Sequence, residues 1–241
     1  MQTNPLEALA PVDPEALTRT RRGLHALAEQ VLAAEEYRHT GRIGLRTTPG
    51  GIATPWAIVD GAKRCVRIEG TEIVLIVGDE RIARPITTVR EAAELLDLEP
   101  GAPPVYEPAT PVDVDQPLDL DPAAVALIAD WYEFGNLALE RFVAAHGEVS
   151  NEPTLWPEHF DLAVTVPDEV RGEIVVGVSP GDDTDPDPYA YIAWQGFAVD
   201  DDGNPEDDWW NRPWGRWVPA AEFATTDELV DLFEEGFQRI R

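Results

Sequence analysis

Apolar positions along the chain follow two rhythms. From Asp13 onward, Leu17, Leu24, Leu27, Ala28, Val31 and Leu32 recur at helical spacing. They follow Asp13-Pro14-Glu15, which supplies an N-cap, a proline at the first helical position and an acid in the first turn. The spacing predicts one helix ending near Gly41, preceded by a loose arm over residues 1–12. The period then drops to two. Stretches 42–47, 52–59, 65–69, 72–77 and 81–86 are expected strands, parted by Pro49-Gly50-Gly51, Asp60-Gly61, Gly70 and Gly78-Asp79. This is the pattern of an antiparallel meander. Thr88-Val89-Arg90-Glu91 is a capping box that opens a short helix through Leu95 and Leu96.

Residues 99–120 break both rhythms. Six prolines and several acids make them an extended connector in this reading. Asp121-Pro122 then repeats the helix start, and Val125, Ile128, Trp131, Tyr132, Leu139, Phe142 and Val143 give a wide stripe as far as Gly147. Strands are expected at 159–166, 173–178, 189–198 and 216–219. Thr225-Thr226-Asp227-Glu228 is a second capping box, ahead of a helix carrying Leu229, Phe233, Phe237 and Ile240. The expected fold is α+β, with two similar halves of helix, antiparallel β-meander and helix. One half spans 1–98, the Pro-rich acidic linker 99–120 and the other half 121–241. Pseudo-duplication and chance similarity both fit, and the spacing between matching signals is too uneven for a solenoid.

Charge narrows the list of partners. The chain of 241 residues has 46 Asp and Glu against 18 Lys and Arg, a formal net charge of −28. Nucleic acid and anionic membranes require clustered cations, so neither is an expected partner. A single cysteine, Cys65, allows no internal disulfide and fits a reducing compartment. No basic and apolar leader opens the sequence, and no apolar run reaches the ~18 residues of a spanning helix. A cytoplasmic protein is the expectation, with a small molecule or another protein as partner. No metal or cofactor motif is present, so no cofactor is expected.

Candidate chemistry gathers in the second half. As a strand, 159–166 would place His159 and Asp161 on one face and Phe160, Leu162 and Val164 on the other. An Asp beside a His orients a general base or a metal ligand, and it equally serves as a structural pair. Gly177-Val178-Ser179-Pro180-Gly181 matches the spacing of a nucleophile elbow. The prolines and glycine that follow forbid the helix an elbow needs, and no His follows His159. Asp183, Asp185 and Asp187 begin like a calcium loop, but Pro188 stands where such a loop needs glycine. From Gly172 to Asn211 there is no Lys or Arg. Trp209, Trp210, Trp214 and Trp217 crowd the same region, where indoles beside carboxylates suit sugars, cationic ligands or protein partners. Cys65 reads as a structural thiol.

The helix–meander–helix order, together with Trp156-Pro157-Glu158-His159-Phe160-Asp161-Leu162-Ala163, Ser179-Pro180-Gly181-Asp182 and Pro188-Tyr189-Ala190-Tyr191, resembles a bacterial family known only as a domain of unknown function. The likeness covers nearly the whole chain. It is most specific at Phe160-Asp161-Leu162-Ala163 and at the Pro-Gly turn followed by Pro188 and aromatics. In that family the His159 position is not always His, which implies that Phe160 and Asp161 determine the fold. The resemblance implies an architecture and no activity.

The residues point to a non-enzymatic small-molecule-binding or protein-interaction protein. The competing class is a hydrolase or metal-assisted enzyme using His159 with Asp161 or Asp182. In either case the site is expected in a cleft lined by Glu158, His159, Asp161, Asp182, Tyr189 and Tyr191, with Trp194 as a further ligand-binding candidate.

Overall fold

A computed structural model describes residue 3 and residues 12–147, 149–169, 172–194 and 208–240. Helix and antiparallel sheet alternate along it, an α+β fold. Helix α1 (Pro14–Leu27) passes through a π-helical turn (Ala28–Leu32) into α2 (Ala33–Thr40). Strands β1 (Arg46–Thr48), β2 (Gly51–Ala53), β3 (Ala57–Val59), β4 (Ala62–Glu69), β5 (Glu72–Val77) and β6 (Glu80–Pro85) follow, then α3 (Val89–Glu94) and α4 (Pro122–His146). The remainder is β7 (Thr154–Trp156), β8 (Asp161–Asp168), β9 (Gly172–Ser179), β10 (Tyr189–Trp194), β11 (Gly215–Pro219) and α5 (Thr226–Ile240). Two compact units divide the chain. The first holds Leu9–Asp130 and Leu155–Phe160, the second Met1–Ala8, Trp131–Thr154 and Asp161–Arg241. The expected boundary at 99–120 does not coincide with this division.

In the first unit the Asp13 carboxylate caps α1 by accepting the Ala16 N–H at 3.0 Å. Gly41 ends α2 at φ 72°, the left-handed conformation a helix stop requires. The sheet runs β1-β2-β4-β5-β6, with β3 also pairing β4. The expected strand over 52–59 is two strands. Ala53 pairs with Arg67 and Ala57 with Arg64, so three residues face two across the ladder. Pro55 sits in that bulge, where its missing N–H costs no ladder bond. Ile52, Val66, Ile68, Ile73 and Leu75 are buried on one face. On that face the Arg64 guanidinium reaches Glu35 of α2 at 2.6 Å, and Glu35 also takes Arg38 and His39. One nearly buried carboxylate is thereby matched by several donors.

Residues 99–120 belong wholly to the first unit and strap α1. The Gly101 N–H bonds the Gln30 carbonyl at 3.1 Å and the Leu118 N–H the Thr87 carbonyl at 2.7 Å. The Tyr106 hydroxyl donates to the Glu29 carbonyl at 3.3 Å, and the Ala109 and Thr110 N–H groups donate to the Glu29 carboxylate at 2.6 and 3.0 Å. Gly23 leaves room for Leu120, since a Cβ there would lie 2.8 Å from its Cδ2. The helix is therefore buried all round from Ala26 to Ala33, where a single apolar stripe was expected. A proline-rich stretch cannot form its own core, but its N–H groups found partners on the helix.

In the second unit the sheet order is β11-β10-β9-β8, with β7, which begins at Thr154, beside β8. The described part of the expected 189–198 strand is β10; residues 195–198 lie outside the described residues. Leu162, Val164, Val176, Val178, Ala190 and Ile192 form the buried face. Helices α4 and α5 lie on it through glycines. A Cβ on Gly135 would come 2.3 Å from Val178, and one on Gly236 2.2 Å from Ile192. Phe142 of α4 meets Phe233 and Phe237 of α5 edge-on at 6.1 and 5.7 Å. The second capping box forms: Thr225 Oγ1 accepts the Glu228 N–H at 3.4 Å while Glu228 takes the Ala224 N–H at 2.6 Å.

Candidate functional site

The strand expected over 159–166 starts two residues late, and this separates the candidate pair. Trp156 to Phe160 is a turn: the Trp156 carbonyl accepts the Phe160 N–H at 2.7 Å and the His159 N–H at 3.3 Å. Phe160 takes φ 51° there. Such a backbone is costly for an aromatic residue. Its ring, 1% exposed, stacks on His25 at 5.0 Å. His159 is exposed in this turn rather than aligned with Asp161 on a strand face. Period-two reasoning failed because the alternation of Phe160, Leu162 and Val164 crosses a turn boundary.

Glu158 lies in the same turn, in the first unit. It neighbours Glu29 and Tyr106, and its charge adds to the burial that holds the Tyr106 phenol above its ordinary range. Glu29 is fully buried, and burial likewise raises its carboxyl above the usual value, partly offset by the N–H groups of Ala109 and Thr110. His25 bonds the Pro157 carbonyl at 2.8 Å and Thr110 Oγ1 at 2.7 Å. The sequence signal for this cluster was His25 and Glu29 one helical turn apart, inside what read as a plain apolar stripe.

The other candidates occupy the second unit, with Asp161, Tyr189 and Tyr191 toward the sheet face opposite α4 and α5. Register aligns Ala163, Gly177, Tyr191 and Trp217 across four strands. Gly177 is required there, because a Cβ would lie 2.8 Å from the Tyr191 hydroxyl and 2.8 Å from the Leu162 carbonyl. The Tyr191 hydroxyl donates to Asp161, which is 8% exposed. The Tyr189 hydroxyl donates to Asp182 at 2.8 Å. Burial raises both phenols well above their ordinary range. The Asp161 charge adds to this at Tyr191, and a hydrogen bond with Ser179 pulls back at Tyr189. Both phenols therefore stay protonated donors and are unsuited to act as bases.

Aromatic rings continue the face. Tyr189 lies 6.2 Å from Tyr191 and 5.8 Å from Trp217, and Tyr191 lies 6.1 Å from Trp214, which is 39% exposed. The nearby cations are engaged. Arg212 bonds Asp185 at 2.7 Å and covers the Trp217 ring at 4.7 Å, and Arg216 bonds the Trp209 carbonyl at 2.7 Å. Asp182 accepts the Thr184 and Asp185 N–H groups at 2.6 and 2.8 Å, so it builds its own loop. Trp194 is set apart from this face and packs on Trp210 at 4.8 Å. The structure thus joins Asp161, Asp182, Tyr189 and Tyr191, and brings in Trp214 and Trp217, which the tryptophan crowding had marked.

Ser179 is buried and shares hydrogen bonds with the Gly181 backbone, N–H to Oγ at 3.2 Å, in a turn with no helix after it. Cys65 is buried, its thiol donating to the Thr54 carbonyl at 3.4 Å and raised by burial away from the reactive thiolate. Among the described residues no three His, Cys, Asp or Glu are grouped to hold a metal ion, and no helix is long and apolar enough to cross a membrane.

No protein-family model, curated protein or solved structure matches the chain. Its own geometry must therefore carry the functional reading.

Proposed function

We propose that this is a non-enzymatic binding protein whose ligand is a small organic cation, held where Tyr191 and the exposed Trp214 meet on the second sheet. One observation carries the reading: the Asp161 carboxylate is tied to the hydroxyl of Tyr191, whose ring borders Trp214, while Arg212 and Arg216 are already engaged. Indole and phenol faces attract cations through their quadrupole, by about 0.5–2 kcal/mol per ring according to solvent exposure. The negative charge of Asp161, held on the Tyr191 hydroxyl, adds to that attraction. Gly172 to Asn211 holds no Lys or Arg, and the Arg212 charge that follows is paired with Asp185. The phenol hydrogens are taken up by Asp161 and Asp182, so toward a ligand the phenol oxygens act as acceptors.

The test compares choline with its neutral isostere 3,3-dimethylbutan-1-ol, following tryptophan fluorescence and thermal unfolding. The expected result is saturable quenching and a raised Tm with choline only, lost in Trp214→Ala. At a hundredfold excess over Kd the stabilisation is about 2.7 kcal/mol. Equal responses to the two compounds, or binding that survives Trp214→Ala, would refute the reading.

A further inference from the structure

Strand β6 ends the first sheet, and no described strand pairs with its outer edge. Five of its six side chains are exposed, and Ile82 is 45% exposed. This isoleucine closes a cross-strand row. It pairs with Leu75, and Leu75 pairs with Val66; those two are 8% and 0% exposed. The apolar row thus runs from the core to the sheet edge and stops in solvent.

Hydrogen-bond parity fixes what the edge offers. Just beyond β6, the Ile86 N–H bonds the Thr71 carbonyl at 2.9 Å, so Ile86 faces β5. Alternation turns Glu80, Ile82 and Arg84 toward β5 as well, and directs the backbone groups of Arg81, Ala83 and Pro85 outward. Proline here forfeits only an outward N–H, as suits an edge.

We infer that β6 pairs with β6 of a second copy of this chain, antiparallel and about a twofold axis through Ile82. In that register Arg81 and Ala83 of each copy exchange both backbone bonds, four in all by the pairing rule. Ile82 meets Ile82 of the second copy at a non-hydrogen-bonded position, where side chains approach most closely. Glu80 falls opposite Arg84 of the second copy, twice by symmetry. A slip of two residues one way sets Arg81 against Arg81, and the other way takes Glu80 off Arg84. Charges on an edge ordinarily discourage pairing; in this one register they complement each other.

The charge map favours the same occupant. Residues 42–90 hold eight Lys and Arg against five Asp and Glu, in a chain of net charge −28. Like charge still opposes two such sheets, but far less than the strongly acidic remainder of the chain does, so a symmetric contact is least opposed here. Arg81 does not compete, since it is held on the opposite face by Glu69 at 2.8 Å.

The test is sedimentation equilibrium of the full chain in 0.15 M salt, up to about 0.5 mM. The wild-type chain is expected to dimerise. Ile82→Lys sets two like charges against each other in the single pair on the axis, and Arg84→Glu alters the two Glu80–Arg84 pairs; each should weaken the dimer about tenfold. Glu80→Arg combined with Arg84→Glu restores the pairing and should return the dimer to within about threefold of wild type. All three positions are exposed, so the variants keep their fold, checked by circular dichroism. A wild-type monomer throughout, an Ile82→Lys chain that dimerises like wild type, or a double variant no better than Arg84→Glu would each overturn the inference.

Discussion

Replacing Tyr191 by Phe deletes one oxygen and asks what the Asp161 partnership contributes. The carboxylate is 8% exposed, so water has little access to replace the phenol. A hydrogen bond to a charged acceptor contributes about 1.5–3 kcal/mol, and the void left by one oxygen is small. Tyr191→Phe should therefore lose about 2 kcal/mol, or roughly 4–8 °C in Tm for a chain of this length. Asp161→Asn keeps the shape and removes the charge. In that background only a neutral hydrogen bond is lost, about 1 kcal/mol, so the two sites should couple by about 1 kcal/mol. Urea unfolding of the four proteins at neutral pH, followed by tryptophan fluorescence, measures the cycle. A Tyr191→Phe loss below about 0.5 kcal/mol, or equal losses in both backgrounds, would show that the phenol does not hold the carboxylate in place.

Three more outcomes follow from the packing and the buried groups. Gly135→Ala should destabilise the protein by about 1–2 kcal/mol, overpacking against Val178 outweighing the helix-propensity gain, yet be neutral or stabilising in a Val178→Ala background; urea midpoints read the reversal. Glu29, raised by burial, contributes stability that is full below the ordinary carboxylate range and is lost as pH rises through its higher folded value, so Glu29→Gln should flatten the decline in urea midpoint as pH rises above the ordinary carboxylate range. Cys65 should react with a thiol reagent only as fast as the protein unfolds, and promptly in urea; rapid labelling of the native protein would contradict its burial.

Helix starts and turns were legible because each needs particular residues at particular places. Asp13, Thr88, Gly41 and the hairpin at Gly78-Asp79 act through local backbone geometry, which a short sequence window contains. The strap was not legible. Nothing in 99–120 reveals that the Glu29 carboxylate, eighty residues earlier, accepts its N–H groups, because that contact is long-range and polar. His159 was misplaced for a related reason. An apolar residue every second position looks like a strand even where Phe160 turns back with positive φ. The acid–phenol face was half legible. Residue types marked Tyr189, Tyr191 and Asp161, but only the register shows that Gly177 clears the space in which Tyr191 lies. Trp194 shares their strand and points to other neighbours by alternation alone.

The π-helical turn has a consequence for inheritance. Within it the Glu29 and Gln30 carbonyls accept from the Tyr106 hydroxyl and the Gly101 N–H. Deleting one residue within 28–32 would restore an ordinary α-helix whose carbonyls bond internally. Five residues of π turn wind about as far as four of α-helix, so Glu35 would stay near Arg64. The helix and that ion pair would survive such a deletion, while Tyr106 and Gly101 of the strap would lose their partners. Selection should therefore hold the residue count of this turn for the sake of the strap rather than of the helix.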